Sequence, residues 1–237
     1  MRARYGRGPW QLFKWLIDPF ALTGVYLAFV VFVLDRPGGA PGLSVACAVV
    51  PFQLVIATVI TSLDSTRARE TIIANMAFPR TYIPAAAAFT ESVAFAASSL
   101  LLALMMVVYS VAPTEAILWL PLVVMSNIVF AAAIAYPAAL FALWLPDLRV
   151  FAISLVRTAF FLAPGVIPLS QIGGTAKDVV KLNPLSGLFE SYRAVLLEGS
   201  APEAWMLLGP LGFAGVAAVV FVPLYRSEQV HLAKMIG

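Results

Sequence analysis

Six long apolar runs, at 15–34, 43–63, 84–111, 116–145, 150–169 and 204–225, take up nearly all of this 237-residue chain. Each is close to or above the roughly 20 residues that a helix needs to cross a hydrocarbon core. The connectors between them are too short to fold as a catalytic domain, so whatever the chain does it does within a membrane. The runs are long and continuous and lack ten-residue polar/apolar alternation, which implies helices rather than a barrel. The first run is interrupted by Asp18-Pro19, and Asp18 is placed at the interface. The expected fold is all-α: a polytopic integral membrane protein with six transmembrane helices.

Charge sets the orientation. Only 11% of residues are charged against 62% hydrophobic, and the net charge is +3. Arg2, Arg4, Arg7 and Lys14 precede the first run, Arg67, Arg69 and Arg80 follow the second, Arg149 follows the fourth, and Arg226 and Lys234 follow the last. If the runs alternate, these all lie on one face, and the other holds only Arg36, Lys177, Lys181 and Arg193. The Lys/Arg excess places both termini in the cytoplasm, with the chain multi-pass in the cell (inner) membrane. Residues 1–16 mix Arg4, Tyr5, Arg7, Trp10 and Lys14 at a spacing suited to an interfacial amphipathic helix among lipid headgroups. An ordinary positive flank with belt aromatics is the equal alternative.

Soluble-enzyme chemistry is missing from the pattern. There is no phosphate-loop motif, and a single histidine, His231, cannot build a His-based metal cluster or a Ser/His/Asp triad. No catalytic residue, metal site or nucleic-acid partner is expected. The one cysteine, Cys47, reads as a small buried hydrophobe. If energy is consumed, another polypeptide hydrolyses the nucleotide.

The most informative local segment follows the fifth run. Asn183 is placed to cap a helix whose first residue is Pro184, and Gly199 to close it in the left-handed conformation. Leu185, Leu188, Phe189, Tyr192, Val195 and Leu196 share one face, whereas Ser186, Glu190, Arg193 and Glu198 are polar, with Glu190 and Arg193 near enough to pair. The expectation is an amphipathic helix at the outer membrane surface. Pro164, Gly165 and Pro168 should break or turn back the chain just before it. An extracytoplasmic gate region over 170–203, made of a re-entrant helix pair between spans five and six, follows. Its candidate gate residues are Pro164, Pro168, Asn183, Pro184, Tyr192 and Arg193.

Two charges fall inside apolar runs, Glu91 in the third and Arg157 in the fifth, each about two turns from the cytoplasmic start of its span. Intramembrane charges face the bundle interior and find partners, so Glu91 and Arg157 are expected to pair with each other. Asn127 and Gln53 suit hydrogen bonds between helices.

Four stretches carry a family resemblance: Tyr5 through Trp10; Asn75-Met76-Ala77-Phe78-Pro79-Arg80 with Pro84; Pro146-Asp147-Leu148-Arg149; and Leu182-Asn183-Pro184-Leu185 with Tyr192-Arg193. In this order, on six apolar runs, the chain resembles a transmembrane subunit of the ABC-2 type transporters, close to the permeases that export O-antigen, teichoic acid or capsule-like polysaccharides. The resemblance implies a single transmembrane domain over 1–237 and an ATP-driven exporter made of two copies of this chain and two copies of a separate ATPase. That ATPase would bind ATP and Mg, and this chain would bind no cofactor. The implied substrate is a polyprenyl-diphosphate-linked glycan, moved through a path between the two permease copies, with membrane lipid around it. Tyr26, Phe29, Phe32, Phe160 and Phe161 are candidates for an aromatic lining on which sugar rings slide; lipid-facing or packing positions are the alternative for each. The connector 64–83 and the turn before the fifth span supply the expected ATPase contacts: Arg67, Arg69, Glu70, Phe78, Pro79, Arg80, Asp147 and Arg149. The competing reading is an ABC-2 permease for a lipid, drug or other small hydrophobic molecule.

Overall fold

A computed structural model describes residues 41–68 and 80–236, together with Val25. The first apolar run, the interfacial segment and most of the connector at 69–79 lie outside the described residues. Seven helices are described: α1 Pro41–Ala68, α2 Tyr82–Val108, α3 Leu120–Trp144, α4 Arg149–Phe161, α5 Gly174–Lys181, α6 Pro184–Arg193 and α7 Ala204–Ile236. No strand occurs among the described residues. In hydrocarbon a backbone has only itself to bond to, and uninterrupted apolar sequence meets that demand by forming helix.

Among the described residues, four stretches are long and apolar enough to cross a membrane: Gly42–Ser65, Tyr82–Val108, Glu115–Trp144 and Ala204–Glu228. They correspond to the second, third, fourth and sixth runs. The fifth run departs from expectation. Its helix, α4, has only 13 residues, about 20 Å at 1.5 Å per residue, so the fifth run does not form one continuous spanning helix. Pro164 cannot donate an amide and its ring obstructs a continuing helix, so α4 stops at Phe161 and residues 162–168 turn.

Helix α1 is the centre of the bundle. In its apolar window 78% of residues are buried, against 17% for α7, so α1 is the core and α7 a peripheral helix with most of its surface outward. Helix α1 packs on α2, α3, α4 and α6, whereas α7 packs chiefly on α3 and α6. Phe52 of α1, Phe160 of α4 and Phe189 of α6 form an aromatic junction, with ring centroids 4.8 Å apart for Phe52 and Phe160 and 5.6 Å for Phe160 and Phe189. Large rings concentrate dispersion contacts where three helices converge. Helix α6 approaches α7 at Gly187, where an added Cβ would lie 2.7 Å from the Met206 carbonyl oxygen and 2.8 Å from Pro210 Cδ. Only glycine permits that approach.

Candidate functional site: a tied break in the membrane segment

The local order around α6 follows the sequence signals. Asn183 Oδ1 accepts from the Leu185 amide at 3.0 Å, and Pro184 opens the helix. Gly199 lies at φ 64°, ψ 29°, the left-handed conformation that favours glycine. The helix is α to Arg193 and continues as one wider π turn over Ala194–Glu198.

Its surroundings are not those of a surface helix. Every residue from Leu185 to Arg193 is buried, Arg193 to 1% exposure and Glu190 to 5%. The expected surface-lying amphipathic helix is thus corrected in one respect: its polar face, like its apolar one, is buried in protein. The physical reason lies in the break after α4. A chain that leaves its helix exposes carbonyls with no intrahelical donor, and these need partners when buried. Arg193 supplies them: Nη1 donates to the Pro164 oxygen at 2.6 Å, Nη2 to the Gly165 oxygen at 3.1 Å, and Nε to the Ser44 oxygen in the first turn of α1 at 3.1 Å. Nη1 also reaches Glu190 Oε1 at 2.6 Å, and the same oxygen accepts from the Leu169 amide at 3.0 Å. The anticipated Glu190 and Arg193 contact does form, as a buried ion pair. Asn183 adds a tie, with Nδ2 donating to the Ala159 oxygen at 3.0 Å. The polar side of α6 therefore faces inward and holds both flanks of the break at 164–168.

The opposite end of α1 carries a second ion pair. Arg149, the first residue of α4, forks onto Asp64, with Nε to Oδ1 at 2.6 Å and Nη2 to Oδ2 at 2.7 Å. The hydrogen bond to Asp64 raises the already high pKa of Arg149, so the guanidinium stays charged. Ser44 and Asp64 are about 30 Å apart along α1 at 1.5 Å per residue. Helix α4 starts beside Asp64, and the turn that follows it is tied by Arg193 to Ser44. The fifth run therefore covers much of the length of α1 as a short helix plus an irregular turn.

Other candidates fall in several places. Phe160 is 1% exposed and packed against Phe52 and Phe189, so it is a packing residue and not a lining one; Phe161 beside it is 63% exposed. Tyr26, Phe29, Phe32, Arg4, Tyr5, Arg7, Trp10, Lys14, Arg69, Glu70, Phe78 and Pro79 lie outside the described residues, as does the side chain of Arg67. Arg80 is half-buried before α2, and Asp147 is exposed in the short turn Pro146–Leu148. Pro168 precedes the turn Leu169–Gln171, and Tyr192 is fully buried beside Val195 and Leu196.

The expected pairing of Glu91 with Arg157 is not formed. Glu91 is buried and accepts from Thr61 Oγ1 of α1 at 2.5 Å, whereas Arg157 lies on the exposed side of α4. Similar depth in the membrane suggests the pair, but depth does not fix azimuth: Glu91 meets Thr61 of α1, whereas Arg157 is exposed. Asn127 bridges helices as expected, Nδ2 donating to the Pro51 oxygen of α1 at 3.4 Å. Sequence reasoning missed the Asp64 and Ser44 partners. Part of the signal was present: a Pro-Gly break needs donors, and Arg193 is the cation carried by the capped helix that follows.

Long apolar helices packed around a buried, polar-tied break fit a multi-pass α-helical membrane protein. No family model matches the chain. It is similar to the O-antigen export system permease protein RfbA of Myxococcus xanthus, with 27% identity over 164 residues, covering 68% of this chain and 61% of that protein. The chain thus matches about three fifths of the length of this curated relative. That relative belongs to the class of export permease that the order of the four sequence stretches resembles.

Proposed function

We propose that this chain is the membrane subunit of an ATP-driven ABC exporter that moves a polyprenyl-diphosphate-linked polysaccharide from the cytoplasmic leaflet to the cell exterior or periplasm. The similarity to an O-antigen export permease is the observation that carries this reading. In the proposal two copies of the chain form the path and two copies of a separate ATPase bind ATP and Mg. Both termini are cytoplasmic and the gate region over 170–203 faces outward, in keeping with the Lys/Arg distribution.

The proposed mechanism uses the two ion pairs at opposite ends of α1. ATPase closure pushes on the connector residues Arg67, Arg69, Glu70, Phe78, Pro79 and Arg80 and on the turn holding Asp147 and Arg149. Because Arg149 is forked onto Asp64, the start of α4 moves with the end of α1. At the other end the break at Pro164 and Pro168, tied through Asn183, Pro184, Tyr192 and Arg193 on and beside α6, shifts as one piece to open an exit. Packed elements joined by several hydrogen bonds move as rigid bodies and do not deform gradually. The test is a deletion strain complemented with the chain and its co-purifying ATPase. Lipid-linked glycan should accumulate on the cytoplasmic side in the deletion and leave it on complementation. Unchanged surface glycan with loss of export of a small hydrophobic compound would overturn the reading.

A further inference from the structure

An open groove of about 290 Å³ lies where α5 and the start of α6 meet the outward flank of α7. Lys181 and Trp205 stand at its mouth, with the ammonium 5.2 Å from the indole centroid. Its floor runs along Gly209, Gly212, Phe213 and Val216 of α7. Cβ atoms built at Gly209 and Gly212 would meet nothing within 4 Å, so the absent side chains leave open space and do not accommodate a neighbouring helix. The groove continues onto the exposed apolar surface of α7, at Val216, Val219 and Val220. That surface belongs to a helix long and apolar enough to cross the membrane, where acyl chains are the surrounding medium.

We infer that this groove holds one phospholipid with a net negative headgroup, its phosphate against Lys181 and an acyl chain along the glycine floor of α7. The chemistry separates the two ends. Lys181 presents three donors on a flexible stem, suited to a phosphate as a point charge, and its ammonium lies over the Trp205 ring. Trp205 donates its indole N–H to Glu203 Oε2 at 2.7 Å, which satisfies its one polar group and suits an aromatic residue at the headgroup level. Below it the lining is apolar, without a polar side chain to reject methylene groups: the Asn183 amide is already committed to the Leu185 amide and the Ala159 oxygen. The groove shares Asn183 and Pro184 with the tied break, but Lys181 and the α7 floor take no part in that tie, so the inference does not depend on the exporter reading.

The experiment uses the full chain in nanodiscs with Trp10, Trp15, Trp119 and Trp144 replaced by Phe, leaving Trp205 as the fluorophore. Brominated phosphatidylglycerol should quench Trp205 at a mole fraction several-fold lower than brominated phosphatidylcholine. Lys181→Gln should remove that preference and Lys181→Arg should keep most of it, whereas Lys177→Gln, outside the groove lining, should leave it unchanged. Gly212→Leu should weaken quenching by both lipids by filling the floor. Equal quenching by the two lipids, or a preference that survives Lys181→Gln in protein of unchanged elution volume, overturns the inference. Displacement of the bromolipid by an equimolar polyprenyl phosphate but not by unlabelled phosphatidylglycerol also overturns it, assigning the groove to an isoprenoid lipid.

Discussion

At the scale of single residues, Arg193 concentrates more consequence than any other described side chain. It is 1% exposed and its guanidinium serves three backbone carbonyls and one carboxylate. A buried ion pair is not by itself a source of stability, because desolvation offsets its attraction; breaking one partner, however, leaves an uncompensated charge and costs about 3–5 kcal/mol. Arg193→Gln and Glu190→Gln should each lower the thermal midpoint in detergent strongly, and the double variant should lose less than the sum. Additive losses in that cycle would mean that the two residues act separately. Arg193→Lys should recover little, since one ammonium cannot fork onto the Pro164 and Gly165 oxygens and reach Ser44 together. Arg149 behaves differently. Its pair with Asp64 is partly exposed, at 36% and 45% for the two side chains, so Arg149→Gln should cost only about 0–1 kcal/mol in stability. Under the exporter proposal it should still depress glycan export relative to ATP hydrolysis, and tight coupling in that variant would remove Arg149 from the transmission path.

At the scale of elements, glycine and capping chemistry separate positions that pack from positions that merely connect. Gly187→Val puts carbon within contact of the Met206 carbonyl and Pro210, so α6 must lift from α7 at a cost of about 1–3 kcal/mol. Gly173→Ala, where an added Cβ meets nothing, should be close to neutral, and the difference in thermal midpoint between the two variants measures the helix contact. The turn closing at Gly199 carries a titrating group. Partial burial, with the Glu190 carboxylate adding to it, raises the pKa of Glu198 above the ordinary glutamate value. A raised acid pKa means that the folded chain holds the proton more tightly than the unfolded one. Stability from this group is therefore full below the unfolded pKa and is lost as pH rises through the folded one. Glu198→Gln should flatten that decline in a pH series of unfolding midpoints, and an unaltered slope would assign it to another group. These elements also show what sequence could and could not convey. Asn183, Pro184 and Gly199 announced their helix because capping is a local property of adjacent backbone groups. The inward turn of its polar face was hidden, because a 3.6-residue period reports that two faces differ and not which one meets protein. Likewise the fifth run looked long enough to span because hydropathy counts residues, while α4 ended where the backbone could no longer pair with itself.

At the scale of the whole molecule, α4 is a helix of an apolar run that the described bundle leaves largely uncovered, with Phe160 its one buried residue. Its inner side, at Val156 and Phe160, packs on α1, while Ser154, Arg157, Thr158 and Phe161 face outward. A guanidinium at membrane depth costs about 2.5–3.5 kcal/mol on insertion scales unless it meets protein or water. Hydroxyl groups and an aromatic ring beside it suit a wetted path better than acyl chains. On the proposed two-copy exporter, this face of α4 borders the shared path, whereas the flank of α7 at Val219 borders lipid. The two surfaces can be told apart by thiol chemistry, because maleimides react with a thiolate and a thiolate needs water. In a Cys47→Ala background, single cysteines at Ser154 and Thr158 should react with a water-soluble maleimide in native membranes many-fold faster than one at Val219, which is 76% exposed in the isolated chain. Arg157→Gln should insert as well as the parent or better, since it removes a charge, yet reduce glycan export. Slow labelling at Ser154 and Thr158, equal to that at Val219, would show that α4 faces lipid on this side. The path would then have to run along another face of the bundle.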